Sequence, residues 1–299
     1  MPHPVWVREL RAPFMLLPAI FVPVGLAIAW SHGFFSPLAA VLTFAGALSL
    51  HASANVLNDY FDFRSGIDLA TTPTPFSGGS TILPQKLMAP TSVLAMGVGF
   101  LAAGVAIGSY FVYQFAFDPV LIVIVAIAVL SLISYSLVTS KVGIGELVVG
   151  LNFGPLLVLG TYYVQTRSIG PEAIIVGLSL GILTSGILYA NEFPDTDADK
   201  SKGRIHLVVR WGKAKAASRF RILIAAAYLI PVMGVLSGLA SPVALLCLIT
   251  LPKARKTVRL LSQNYDKLAE LIPGLASMVM TTLFTGVAFL AGYLLLGLV

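Results

Sequence analysis

The sequence predicts an all-α protein that crosses a membrane several times, about nine helices in one bundle with a cytoplasmic N-terminus. Three observations carry that expectation. Hydrophobic residues make up 57% of the chain and charged ones only 11%, with a mean hydropathy of +0.91, which is foreign to an ordinary soluble domain. Apolar runs near the 20 or so residues that a bilayer demands recur at 13–31, 38–64, 90–114, 118–139, 143–166, 171–194, 222–238, 240–252 and 272–298. Of the 19 lysines and arginines, all but Arg167 fall on one side of those runs.

Taken in order, Arg8 and Arg11 precede the first run. Arg64 and Lys86 lie between the second and third, and Lys141 between the fourth and fifth. Lys200, Lys202, Arg204, Arg210, Lys213, Lys215, Arg219 and Arg221 separate the sixth from the seventh. Lys253, Arg255, Lys256, Arg259 and Lys267 precede the ninth. This positive-inside asymmetry places the N-terminus in the cytoplasm and Val299 outside. The net charge of +6 is therefore a topology signal, and no nucleic-acid partner is expected. The basic stretch from Pro252 to Leu271 reads as an interfacial helix, and its charges, like Lys213 to Arg221, as topology and lipid-headgroup charges. Pro18 and Pro23 interrupt the first run, which favours a retained helix over a cleaved signal. The lone Cys247 forms no internal disulfide and reads as a core residue. The chain is expected to be one domain, 1–299, with two related halves at about 1–140 and 141–270.

Against this apolar background the acids are concentrated. Seven of 13 lie in two stretches, "NVLNDYFDFRSGID" and "NEFPDTDADKSKGR": Asp59, Asp62, Asp68, Glu192, Asp195, Asp197 and Asp199. Carboxylates near the bilayer core are costly and by default functional. Helical spacing puts Asn55, Asn58 and Asp62 on one stripe, with Asp59 beside it and His51 a turn deeper. Gly66 is suited to end that helix, so Asp68 can fold back from the loop. Asn191, Asp195 and Asp199 form a second stripe, and Pro194 is expected to kink its helix. Facing stripes of carboxylates and amides are all-oxygen donor sets that suit Mg²⁺ rather than zinc. Lys200, Lys202 and Arg204 follow directly. Acids for metal beside bases for phosphate describe a diphosphate site, to which Arg64, Lys86 and the backbone of Pro75–Ser80 can add. In the fifth run, Asn152, Tyr162, Tyr163 and Gln165 are either helix-packing residues or the lining of an acceptor pocket, with Tyr135 a similar candidate. His51 and His206 read as hydrogen-bonded pocket histidines.

At these residues the chain resembles the UbiA-type intramembrane prenyltransferases. Asn58, Asp59 and Asp62 match the N-D-x-x-D motif. Asp68, six residues on, is similar to the menaquinone-type 1,4-dihydroxy-2-naphthoate branch. Asn191, Asp195, Asp199, Lys200, Gly203 and Arg204 match that branch's second motif, and "FGPLLVLGTYYVQT" is similar to it as well. The resemblance implies nine helices around a central cavity, motifs at its cytoplasmic mouth and a lateral opening to lipid. It implies Mg²⁺-dependent transfer of a polyprenyl group from an isoprenyl diphosphate to an aromatic acceptor, 1,4-dihydroxy-2-naphthoate with decarboxylation, for quinone synthesis at the cell membrane. Asn58, Asp59, Asp62 and Asp68 with Asn191, Asp195 and Asp199 would hold two Mg²⁺ ions. Asp62, Asp195, Lys200 and Arg204 would carry the chemistry. Asn58, Arg64, Lys86, Asn152 and Tyr162 would line the diphosphate or substrate pocket. Glu192, Phe193, Pro194, His206 and the "TPFSGGST" loop depart from the pattern, and bear on the acceptor more than on the chemistry.

Other classes fit less well. A glycerophosphate ether is the nearest alternative acceptor within the superfamily. A cation-coupled transporter would carry polar groups near the midplane, whereas both clusters sit at helix ends. The dense D-x-x-D-G-x-x-A-R stretch of CDP-alcohol phosphotransferases is absent.

Overall fold

The computed structural model describes residues 4–71, 73–77, 79–135 and 142–298. Gly78, Lys141, Val299 and the end of the predicted 118–139 span lie outside the described residues. Among those described there is no strand. The helices are α1 Val5–Glu9, α2 Leu16–Ser31, α3 Pro37–Ser65, α4 Pro90–Gln114, α5 Pro119–Ser134, α6 Gly145–Leu151 and α7 Leu157–Thr166. They continue with α8 Pro171–Ser201, α9 Leu207–Trp211, α10 Lys213–Leu236, α11 Leu251–Asn264 and α12 Leu268–Leu296. A 3₁₀ turn, Ala12–Met15, leads into α2, and a π segment, Asn152–Leu156, joins α6 to α7.

Several boundaries follow from local chemistry. Pro37, Pro90, Pro119 and Pro171 each occupy the first turn of their helix, where a missing N–H costs nothing. Ser36 and Asp118 add side-chain caps, accepting from the N–H groups of Ala39 and Leu121. Gly66, left-handed at φ 77°, ends α3.

Among the described residues seven helices are long and apolar enough to cross a membrane: 13–31, 37–65, 90–114, 145–166, 171–201, 213–236 and 268–296. Helix α5 is shorter, and the eighth predicted run is a nine-residue 3₁₀ segment, Pro242–Thr250. One predicted bound is corrected. Helix α8 does not stop at 194 but runs through Pro194 to Ser201, carrying the second acidic stripe on rigid helix. The basic helix α11 occupies most of the stretch read as an interfacial helix. It packs along α12, where Thr257 Oγ1 lies 2.7 Å from Ser277 Oγ and 3.0 Å from Thr281 Oγ1, because small hydroxyl residues on both helices permit close approach.

Helix α8 is the axis, buried along most of its length and packed by α6, α10, α12 and the π segment. Its contact with the 145–166 segment is a seam of glycines. A Cβ on Gly154 would meet Gly177 O at 2.3 Å and Gly181 Cα at 2.5 Å, and one on Gly181 would meet Gly150 O at 2.3 Å. Ser185 Oγ donates to Glu146 O at 2.6 Å beside the seam. At the N-terminal end of α8, buried Glu172 accepts from Tyr293 Oη at 2.7 Å and Ser241 N–H at 2.5 Å, and lies 3.0 Å from His32 Nε2.

Gly181→Val forces backbone apart where no side chain can yield, so it is expected to cost about 1–3 kcal/mol or more by overpacking. Thermal unfolding in detergent should show a lowered midpoint, whereas Gly99→Ala, which meets nothing within 4 Å, should leave it nearly unchanged.

Candidate active site

Helices α3 and α8 bring their acidic ends to one place. A polar cavity of about 140 Å³ is lined by Asn58, Asp62 and Asp68 from the first motif and by Asn191, Asp195 and Asp199 from the second. It abuts a larger cavity of about 340 Å³, mostly apolar, that follows α3 from Asn58 back to Thr43, about 22 Å at about 1.5 Å per residue. Arg11, Asn58, Tyr135, Leu188 and Asn191 line both. A charged head and an apolar tail thus have adjoining walls.

Arg204 is the link between motifs. One guanidinium nitrogen donates to Asp62 Oδ1, and the other lies 3.7 Å from Asp199 Oδ1. Burial works against the Arg204 charge, yet Asp62 and Asp199 more than offset it and raise its pKa further. His206 stands behind, 3.2 Å from both Glu192 Oε2 and Asp199 Oδ2. Burial disfavours its charged form, but those two carboxylates outweigh that and raise its pKa to about 9. Glu146, also buried, accepts the Leu207 N–H at 2.8 Å and fixes the start of α9.

The loop after α3 closes the other wall. Asp68 folds back past Gly66, and burial, with Asp62 and Asp59 nearby, pushes its carboxyl up to about 8. Ser77 Oγ donates to Asp195 Oδ1 at 3.3 Å. Gly79, at φ 70°, sits so close that a Cβ would lie 3.2 Å from Asp59 Oδ1 and 3.3 Å from both Asp68 oxygens.

Not every predicted residue reaches the cavity. Asp59 does not line it; its carboxylate turns to the loop, accepting the Ser80 N–H at 2.8 Å with Arg11 at 3.8 Å. The Ser80 N–H thus serves the Asp59 carboxylate on this side. Arg64, Lys86 and Lys200 are exposed and outside the lining, because each is rotated or displaced from the stripe beside it. The neighbouring Lys202 ammonium instead lies beside Gly66, where the C-terminus of α3 favours a cation. Asn152 lines the apolar cavity, oriented by Ser131 Oγ at 2.8 Å and by its own bond to Val148 O. Tyr162 does not: its hydroxyl lies 3.0 Å from His32 Nδ1 at the Glu172 end, about 40 Å along α8 from Asp199. Tyr163 donates to Asp118, and Gln165 pairs with Ser36.

Three further side chains, Arg11, Glu192 and His206, line the polar cavity. Arg11 lines both cavities, held in a left-handed turn whose Leu10 carbonyl accepts from Asn55 Nδ2 at 3.0 Å. Only its place just ahead of the first span hinted at this. Glu192 and His206, departures from the resemblance in sequence, meet each other in space.

The donor chemistry fits Mg²⁺. Five carboxylates and two amides share one cavity, and Asn191 Oδ1 and Asp199 Oδ1 are buried without a hydrogen bond among the described residues. Among the described residues no three acidic, histidine or cysteine groups converge as a ready-made metal cage.

A membrane-embedded helical bundle with paired Asn/Asp stripes at a polar cavity and an apolar cavity behind defines a lipid-modifying type of site. The chain belongs to the UbiA prenyltransferase family, whose model matches residues 15–272. It is accordingly an enzyme that transfers prenyl groups. It is 26% identical over 294 residues to a 1,4-dihydroxy-2-naphthoate octaprenyltransferase of Escherichia coli, covering 97% of this chain and 95% of the relative. It is 27% identical over 282 residues to the protein of the same description in Bacillus subtilis, covering 93% and 89%. Its fold is shared with a solved UbiA homolog from Archaeoglobus fulgidus bound to GPP and Mg²⁺, at TM-score 0.66 and 16% identity over 96% of this chain and 100% of that one.

Behind the site, Glu9 is fully buried, accepts from Ser80 Oγ at 2.6 Å and, through burial and the nearby Asp59, is raised from 4.5 to about 7. A raised carboxyl stabilises the fold below pH 4.5 and loses that contribution as pH rises through about 7. Glu9→Gln should therefore flatten the decline of the unfolding midpoint across that interval, measured as thermal unfolding against pH.

Proposed function

We propose that this chain transfers a polyprenyl group from an isoprenyl diphosphate to 1,4-dihydroxy-2-naphthoate, with the Asp-lined cavity facing the cytoplasm at the cell membrane. The observation that carries this reading is the shared wall between a cavity of oxygen donors and an apolar cavity running back along α3. Only an amphipathic substrate uses both. The similarity to two naphthoate octaprenyltransferases over nearly the whole chain supports the choice of acceptor.

Asn58, Asp62 and Asp68 would hold one Mg²⁺, and Asn191, Asp195 and Asp199 a second. Bound there, the ions would supply charge neutralisation for the departing diphosphate. Arg204, already between the two motifs, adds a fixed cation at the same place without reorganisation. Arg11 presents a second guanidinium at the junction of the cavities, its own charge 5.0 Å from the Phe14 ring centroid. The apolar cavity holds the isoprenoid tail and keeps water from the allylic carbon, which would otherwise be quenched. Aromatic rings on its wall, Phe153 and Tyr135 among them, suit a carbon bearing positive charge. Asn152, with its amide oriented by Ser131 and Val148, is placed to meet a polar substituent on the acceptor.

Asp62→Asn and Asp195→Asn should each lower turnover by about 10²-fold or more, and the unfolding midpoint of Asp195→Asn should stay close to wild type. The assay is purified protein, Mg²⁺ and geranylgeranyl diphosphate with naphthoate, hydroxybenzoate and glycerophosphate acceptors, followed by mass spectrometry. Product from the glycerophosphate alone would reassign the acceptor; near-normal turnover in either variant would reject the metal assignment.

A further inference from the structure

Helix α11 carries a charge pattern that prenyl transfer does not use. Ala254, Thr257 and Leu261 are buried against its neighbours, while Arg255, Lys256 and Arg259 form the opposite, exposed face. Arg255 and Arg259 are one turn apart, with Lys256 between them, so the three cations stand on a single strip. None of them takes part in a salt bridge among the described residues. Lys253, on the flank, lies over the ring of Phe284 at 5.2 Å.

The depth of this strip gives it meaning. Phe284 lies past the midpoint of the 29-residue α12, which extends about 43 Å at about 1.5 Å per residue. The hydrocarbon core is about 30 Å thick. However α12 is slid within that core, Phe284 stays inside it. Met280, Phe284 and Val287, exposed at helical spacing, make the adjoining surface a lipid-facing apolar stripe. The strip of α11 therefore starts in the hydrocarbon beside Lys253 and leads toward the end of the bundle where Leu268 begins α12. Lipid-exposed cations at that depth are expensive unless an anion comes to them or the bilayer thins.

We infer that the Arg255–Lys256–Arg259 strip is a binding site for an anionic phospholipid of the same leaflet, whose phosphodiester is drawn inward onto the cations while its acyl chains lie on Met280, Phe284 and Val287. Charge complementarity selects the headgroup, and the adjoining apolar stripe selects a lipid over a soluble phosphate. The site lies on the outer surface of the bundle, so occupancy is independent of turnover.

The test is native mass spectrometry of the full chain, released from nanodiscs containing phosphatidylglycerol and phosphatidylcholine with identical acyl chains. Wild type should retain phosphatidylglycerol preferentially. In the combined variant Arg255→Gln, Lys256→Gln, Arg259→Gln that preference should fall by at least about tenfold, while turnover in phosphatidylcholine is kept. A parallel thermal scan in phosphatidylcholine nanodiscs should show stabilisation by added phosphatidylglycerol and none by inorganic phosphate. Equal retention of the two lipids by wild type would overturn the proposal, as would an unchanged preference in the variant or equal stabilisation by inorganic phosphate. The wild-type comparison decides the matter even if the combined variant folds poorly, and the single variant Arg259→Gln supplies a milder step.

Discussion

The ion pairs that Arg204 makes with Asp62 and Asp199 are the constraint on which the rest of the site depends. They join the two stripes, Arg204 lying 142 residues from Asp62 in sequence, across a cavity lined by five carboxylates. Buried acids in such numbers repel one another and resist desolvation. A single fixed guanidinium, with the charged His206 behind it, makes their proximity tolerable. The same arrangement leaves Asn191 Oδ1 and Asp199 Oδ1 without a hydrogen bond among the described residues.

That centre needs a rigid support, and α8 provides it. Its glycine seam against Gly150 and Gly154 brings backbone against backbone, which fixes the spacing between the helix that carries Asn191, Asp195 and Asp199 and the segment that carries Asn152. The π segment at Asn152–Leu156 lies within the seam. Extra turn width there swings Asn152 toward the apolar cavity instead of the helix interface. At the far end, Glu172 is tied by Tyr293, Ser241 and His32, so the axis is pinned at both ends by polar contacts and along its middle by close packing.

The two charge populations of the chain have separate roles. Acids and Arg204 are gathered into the cavity; most lysines and arginines are excluded from it and stand on the surface. On helix α11 the packing against α12 sets Lys253 beside the Phe284 ring, so basic residues stand next to exposed aromatic and aliphatic groups.

Much of this was legible in the chain itself. Hydropathy and the prolines at first turns determined the helices, because a backbone in lipid must satisfy its own hydrogen bonds and has few alternatives. The i, i+4, i+8 spacing determined that Asn191, Asp195 and Asp199 share a face, and Gly66 determined that Asp68 could turn back. Contacts across the bundle were beyond such reasoning. Asp59 and Asp62 are three residues apart, yet one faces the loop and the other the cavity; Tyr162 resembles a pocket residue but binds His32 at the opposite end. Arg11 enters the site only because a distant segment packs there. Local spacing fixes which side chains lie together on one helix, whereas the partner each side chain meets is set by helix packing, and that is decided by backbone contacts among glycines and hydroxyl residues that carry no pattern of their own.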